Sequence, residues 1–351
     1  MQYQEGHRPG ERAGGVDRQD TCDQIGRCST AIVCDDAHMT WLPSIDVAFR
    51  ARVLAQDDAA CKPWLDAISE VSEEVAQRWR LERSGEPLFG GASIVIPVLL
   101  QNAHPAALKL ASPIADARAE HRALSALAGH GAVEVYDADL EHSALLLEHI
   151  PGPTLAEHTH PEDPLHAAAM AGGVAKSIAS APAPDDAPRL ADGIEKWLAQ
   201  LDEQHAEAHR MGAALPEDMF AAAVHRVQRL GESHDSTLTH GDLSFANIMR
   251  RSPGEWVAID PSYLAGPREN EAHTILRSTL TSIIGSTDPV ATMADLNRSF
   301  CEAASADDGL ALDISYARFV ASYYWEAQHH GDPVNIENLR TATRYAGQLL
   351  A

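Results

Sequence analysis

The chain has 351 residues, 45% of them apolar and 22% charged. That balance supports a sizeable core and excludes a disordered chain, a collagen-like one or a small disulfide scaffold. Lys and Arg number 27 against 51 Asp and Glu, a formal charge of −24, which repels nucleic-acid phosphates and suits either plain solubility or a cationic small-molecule partner. No run of roughly 18 apolar residues offers a membrane span, and the opening MQYQEGHRPGERAGGVDRQD lacks the apolar stretch of a secretory signal. The five cysteines, Cys22, Cys28, Cys34, Cys61 and Cys301, contain no C-x2-C pair, so a reducing cytoplasm is the simplest setting.

At roughly 150 residues per domain, the length implies about two domains or lobes. Residues 1–40 are polar, show no sustained period and read as a flexible extension. Trp64, Ile68, Val71, Val75 and Trp79 then follow helical spacing and predict an amphipathic helix. Three antiparallel strands are expected at 88–89, 94–100 and 106–110, with Gly90-Gly91-Ala92-Ser93 between the first two. A helix over 114–128 ends at Gly129 and Gly131, and two further strands lie at 133–136 and 144–150. Five strands and a helix make a β-rich lobe over 41–150, closed by Pro151-Gly152-Pro153. Residues 151–351 read as a larger helical lobe, interrupted by a hairpin region over 238–260 that turns at Ser252-Pro253-Gly254-Glu255.

The chemistry is concentrated in His240-Gly241-Asp242-Leu243-Ser244-Phe245-Ala246-Asn247, followed after the hairpin by Ile259-Asp260-Pro261. Phosphoryl transfer from ATP requires an acid that orients the attacking hydroxyl and takes its proton. It also requires an amide and a second acid that hold Mg2+ against the phosphates. A loop and a tight hairpin bring Asp242, Asn247 and Asp260 together. Gly241 supplies the freedom of a sharp turn, and His240 reads as architectural. Lys109, one of only four lysines, stands between Leu108 and Leu110 on a strand, where an unpaired ammonium is costly to bury. Glu120 on the following helix is a partner eleven residues on, and Asp116, one turn earlier, is the alternative.

The HGD-x4-N run, the later I-D-P and the segments FGGASIVIP, ALKL and GAVEVYDADLEHSALLLE resemble the aminoglycoside phosphotransferase family of protein-kinase-like enzymes. The likeness is to its streptomycin and hydroxyurea branch, over about residues 60–350. The resemblance implies a bilobal α+β protein-kinase-like fold with a five-stranded antiparallel sheet in the N-terminal lobe and a larger helical C-terminal lobe. It implies ATP- and Mg2+-dependent phosphorylation of a small-molecule hydroxyl, with an aminoglycoside or hydroxyurea as acceptor. An ordinary amino-alcohol or sugar, an inactive ATP-binding module and a protein-interaction surface remain alternatives. By the same resemblance Asp242 is the catalytic base, Asn247 and Asp260 are the metal ligands, and Lys109, held by Glu120, grips the phosphates. Gly90, Gly91 and Ser93 would cover the nucleotide, a loop that in isolation is a plain hairpin turn. Backbone groups of Glu148 to Ile150 would meet the adenine edge. For a cationic acceptor the acidic candidates are Asp185, Asp186, Glu269, Glu271 and Glu326. The sequence departs from that branch at Ser244-Phe245 and over Ser262-Tyr263-Leu264-Ala265-Gly266-Pro267-Arg268-Glu269-Asn270-Glu271, beside the expected acceptor position.

Overall fold

The structure is a computed structural model that describes residues 41–42, 44–159, 163–231, 237–329 and 331–351. The expected extension over 1–40, with Cys22, Cys28 and Cys34, lies outside the described residues.

Two helices lead in, α1 (Val47–Gln56) and α2 (Asp58–Trp79). Each starts on an aspartate whose carboxylate accepts from the first turn, Asp46 from Phe49 N–H at 2.7 Å and Asp57 from Ala60 N–H at 3.0 Å. The buried stripe of α2 runs through Cys61, Leu65, Ile68, Val75 and Ala76, while Trp64, Val71 and Trp79 flank it half-buried. The stripe is thus turned slightly from the predicted one, because the large rings fill the margin of the contact rather than its centre.

The sheet holds β1 (Glu82–Arg83), β2 (Leu88–Phe89), β3 (Ser93–Leu99), β4 (Pro105–Ala111), β5 (Val135–Asp139) and β6 (Ala144–Glu148), with α3 (Ala117–Ala126) between β4 and β5. All pairings are antiparallel, in the order β1-β3-β4-β6-β5, and β2 also pairs with β3. Six strands replace the expected five. The additional β1 sets Glu82 opposite Leu99 and Arg83 opposite Val98, and two charged residues show no period by which to be recognised.

Strand alternation divides the sheet between two cores. Ile94, Ile96, Val98, Leu108, Leu110 and Leu146 face α1 and α2. Ala107, Leu145 and Leu147 face the opposite way, where Leu124 and Leu127 begin a core that continues through the helices beyond. Lys109 shares the parity of Ala107, so the pleat aims it at that second face.

After α4 (Leu155–His158), α5 (Pro164–Ile178), α6 (Ile194–Met211) and α7 (Glu217–Leu230) come β7 (Thr237–Thr239), β8 (Ile248–Ser252), β9 (Glu255–Ala258) and β10 (Leu264–Gly266). Antiparallel pairing joins β7 with β10 and β8 with β9. Residues 240–247 and 259–263 are thereby held side by side at the ends of two short ribbons. Val133 N–H donates to Ala258 O at 2.9 Å and Ala258 N–H to Gly131 O at 2.8 Å, which ties the hairpin to the base of the sheet. The chain ends with α8 (Ala272–Ser278), α9 (Leu280–Gly285), α10 (Pro289–Ala304), α11 (Asp308–Gln328) and α12 (Pro333–Leu349). Cys61 and Cys301 are buried and form no disulfide among the described residues; burial, aided by Asp308 and Glu269, pushes the Cys301 thiol up to about 12. Among the described residues, no helix is long and apolar enough to cross a membrane.

Candidate active site

Lys109 Nζ lies 2.6 and 2.7 Å from the two Glu120 oxygens and 2.7 Å from Asp260 Oδ1. Its side chain is 5% exposed, that of Glu120 10% and that of Asp260 45%, so the cluster is buried at one end and open at the other. Burial works against the ammonium, but the Asp260 and Glu120 carboxylates outweigh it and hold Lys109 above its ordinary value. Burial pushes Glu120 up against the pull of Lys109. Asp116 is not the partner. It caps α3, accepting from Ala119 N–H at 2.9 Å.

The 240–247 loop is fixed by its own polar atoms. Gly241 adopts φ 79°, where a side chain would be strained, and a Cβ there would also come to 3.0 Å from Ser262. His240 is fully buried. Its Nε2 lies 2.7 Å from Ile259 O and its Nδ1 accepts from Asp242 N–H at 3.3 Å; the carbonyl contact requires the proton on Nε2. The imidazole therefore links the two loops, the architectural part expected of it. Asn247 Nδ2 donates to Asp242 O at 2.8 Å and to Asp242 Oδ2 at 3.2 Å. Asp260 sits at φ 59°, a left-handed conformation that non-glycine residues adopt sparingly and that recurs at functional loops. With Asn247 Nδ2 engaged, its Oδ1 remains, alongside the outer oxygen of Asp260. These are hard oxygen donors, and they fit a magnesium ion.

Gly90 and Gly91 form the turn between β2 and β3. Their carbonyls accept from the Arg52 guanidinium of α1, at 3.1 Å for Gly91. Gly90 N–H donates to Ser93 O at 2.9 Å and Ala92 O accepts from Ser112 N–H at 2.9 Å. The N–H groups of Gly91 and Ala92 are left without a partner among the described residues. Ser93 is buried at the start of β3, opposite Ala111, so its side chain does not extend from the loop. Arg52 was not foreseen, since it precedes Gly90 by 38 residues and Gly91 by 39.

Glu148 ends β6, but its N–H already donates to Glu134 O at 2.9 Å and its carboxylate pairs with Arg251 at 2.6 Å. Ile150 is buried, and its N–H has no partner among the described residues.

The acidic candidates separate. Glu271 is buried, and its Oε1 accepts from His240 N–H at 2.6 Å and Gly241 N–H at 3.0 Å. Glu269 accepts from Asp307 N–H at 2.8 Å. Glu326 lies on α11, 3.9 Å from Arg277. Asp186 accepts from Tyr263 OH at 2.6 Å and pairs with Arg122, while Asp185 is exposed. Glu271 alone among these touches the 240–247 loop, and it touches backbone. Sequence reasoning missed a cavity of about 600 Å3 lined by Arg189, Leu190, Asp192, Trp197, Leu264 and Arg318 among others. Leu264 pairs with Thr239, three residues before Asp242. Arg318, lowered by burial, is supported by the charges of Glu271 and Asp242 and donates to Asn270 Oδ1 at 2.6 Å. These residues come from the segment just before α6, from α6 itself, and from β10 and α11, and no local pattern unites them.

A family model described as aminoglycoside/hydroxyurea antibiotic resistance kinase matches residues 78–330. The chain is 29% identical over 289 residues to streptomycin 6-kinase of Streptomyces glaucescens, covering 82% of this chain and 91% of that one. It is 30% identical over 273 residues to streptomycin 6-kinase of Streptomyces griseus, covering 76% and 85%. Among solved structures, a choline/ethanolamine kinase family protein from Mesorhizobium loti is similar at TM-score 0.54 and 13% identity, over 80% of this chain and 95% of that one. That likeness concerns the fold, and the fold is protein-kinase-like. Since the matched span is well over half of the chain, the chain belongs to the aminoglycoside/hydroxyurea antibiotic resistance kinase family, and its chemistry is phosphoryl transfer to a small molecule.

Proposed function

We propose that the chain transfers the γ-phosphoryl group of ATP to a hydroxyl of a streptomycin-type aminocyclitol. The observation that carries this reading is Lys109, bonded at once to Glu120 at 2.6 Å and to Asp260 at 2.7 Å. It joins the sheet to the loop beside Asp242, and a buried ammonium so held is a ready counter-charge for a polyphosphate. The sheet half would act as the nucleotide lobe and the helical half as the acceptor lobe. Lys109 neutralises the phosphates. Gly91 and Ala92 offer their unpartnered N–H groups over them, and Ile150 N–H takes the adenine edge. Asn247 and Asp260 hold the magnesium ion, which when bound spreads the charge that develops on the transferred group. Asp242 aligns the acceptor hydroxyl and takes its proton as the new O–P bond forms and the bond to the leaving ADP breaks. A cytoplasmic site, where ATP is at hand, fits this use.

For the acceptor, the cavity beside β10 is the natural place, with Asp192 as an exposed carboxylate and Trp197 as an apolar wall. Asp192 is the carboxylate that an ammonium or guanidinium substituent would meet there, with Arg189 and Arg318 left to face its hydroxyl and other oxygen atoms.

The test is ADP release from Mg-ATP with streptomycin, other aminoglycosides, hydroxyurea, amino alcohols and sugars, together with drug resistance of an expressing host. Streptomycin-dependent ADP is expected. It should fall by about 10²–10⁴-fold in Asp242→Ala, and Asp192→Asn should raise KM for streptomycin without changing KM for ATP. Turnover confined to an amino alcohol or sugar would replace the acceptor. Mg-ATP binding with no ADP on any acceptor would favour an inactive binding module.

A further inference from the structure

Away from the phosphotransfer residues, α6 and α7 bring three ligand-type side chains to one point. His205 and His209 are four residues apart on α6 and share a face, and Glu217 opens α7 across the short turn at 212–216. His205 Nε2 lies 3.1 Å from His209 Nε2 and 3.3 Å from Glu217 Oε2. One donor atom from each of the three falls within 4.8 Å of the others. We infer that His205, His209 and Glu217 form a binding site for a zinc-type divalent transition-metal ion, separate from the magnesium used in catalysis.

The spacing argues for it. Tetrahedral bonds of about 2.0–2.1 Å set ligand atoms about 3.3–3.4 Å apart, close to the two separations from His205 Nε2, and the His209 and Glu217 atoms lie within 4.8 Å of each other. Two imidazoles and a carboxylate are a zinc-type donor set, whereas magnesium and calcium prefer oxygen alone. The central ring is also pre-positioned. His205 is buried and stacks on Phe220 at 3.9 Å between centroids, with the planes within 2°. Its Nδ1 is 2.5 Å from the hydroxyl of the fully buried Tyr324. With a cation on Nε2, Nδ1 carries the proton and donates to that oxygen, the outer contact that orients a metal-binding imidazole. Burial raises the Tyr324 phenol, so it stays neutral in this role.

The other side is open. His209 is exposed, and the Glu217 side chain is 78% exposed, which leaves room for water as a fourth ligand. The site stands eight residues beyond Trp197 on α6, about 12 Å along the axis at 1.5 Å per residue. An ion there ties the start of α7 to the end of α6 across a turn that Tyr323 OH also holds, donating to Ala213 O at 2.7 Å. Its effect is therefore on stability, not on turnover.

The experiment uses the full chain, stripped with a chelator and titrated with zinc chloride, beside His209→Ala and Glu217→Gln. Metal retained after gel filtration and Tm are read for each, with magnesium chloride as the control salt. One zinc per wild-type chain and a zinc-dependent rise in Tm are expected, with affinity at least tenfold weaker in His209→Ala. Both replaced side chains are exposed, so the metal-free variants should melt with the metal-free parent, and their Mg-ATP turnover should match it. Absence of stoichiometric zinc on the wild type, or equal binding by His209→Ala, would overturn the site.

Discussion

Glu271 decides how firmly the 240–247 loop is held, and it does so without facing the open end of the site. Its buried Oε1 accepts two consecutive backbone N–H groups, His240 at 2.6 Å and Gly241 at 3.0 Å. Hydrogen bonds to a charged acceptor contribute about 1.5–3 kcal/mol each, and a buried N–H left alone loses about as much. Glu271→Ala should therefore let the turn before Asp242 relax. Turnover is expected to fall tenfold or more while KM for ATP holds. Glu271→Gln, whose amide oxygen can accept the same two bonds, should restore most of that rate. Steady-state kinetics of the two variants read this directly, and equal loss in both would assign the effect to the charge rather than to the bonds. The residue was legible as an acid near the site but not as a support, because its partners lie 30 and 31 residues earlier in the chain. Lys109 and Glu120 were easier to read. They are eleven residues apart, and an ammonium inside an apolar strand demands a nearby carboxylate.

Elements with a strong period were legible in the same way. The strands β3, β4 and β6, the helix α2 and the β8–β9 hairpin follow from alternation, helical spacing and turn residues. What escaped was set by pairs far apart in sequence. The two-residue β1 has meaning only through Leu99 and Val98. The clamp of Arg52 on Gly90 and Gly91 belongs to α1, before the span that the family model matches. Helix-on-helix contact gives a sharper case. In α5, Gly172 and Gly173 look equivalent, yet a Cβ at Gly172 would come to 2.4 Å from Phe300 O and 2.8 Å from Ala303 Cβ of α10, and one at Gly173 meets nothing within 4 Å. Gly172→Ala must push α5 off α10 and should destabilise by about 1–3 kcal/mol, as overpacked cores do. Gly173→Ala should stabilise by up to about 1 kcal/mol through helix propensity. Urea denaturation of the two variants checks the sign of each.

For the whole molecule, the acid limit of stability is expected to depend partly on a buried histidine whose ring the fold disfavours protonating. His273, on α8, is buried against Phe319, with ring centroids 4.7 Å apart, and its Nδ1 has no hydrogen-bond partner among the described residues. Burial, with the nearby Arg318 and Arg277 cations, holds it well below the ordinary histidine value. An unfolded chain protonates this ring near pH 6.5, while in the folded chain burial and the two cations disfavour the charged ring down to a lower pH. The stabilising difference is fully present above that pH. It is lost as pH falls from about 6.5 toward the lowered folded value, by up to about 1.4 kcal/mol per pH unit. His273→Phe removes both the titration and the unpaired nitrogen while keeping a ring beside Phe319. Unfolding free energies measured by urea at pH 7.5, 6.5 and 5.5 should fall on the acid side for the parent, and by about one proton less for the variant. The chain's 51 carboxylates against 27 cations act the other way as they begin to protonate, since mutual repulsion eases. That term is common to both proteins, so the difference between the two slopes isolates His273. Parallel slopes would mean that the ring is protonated in the folded state, and that the cations of α8 and α11 do not confine it.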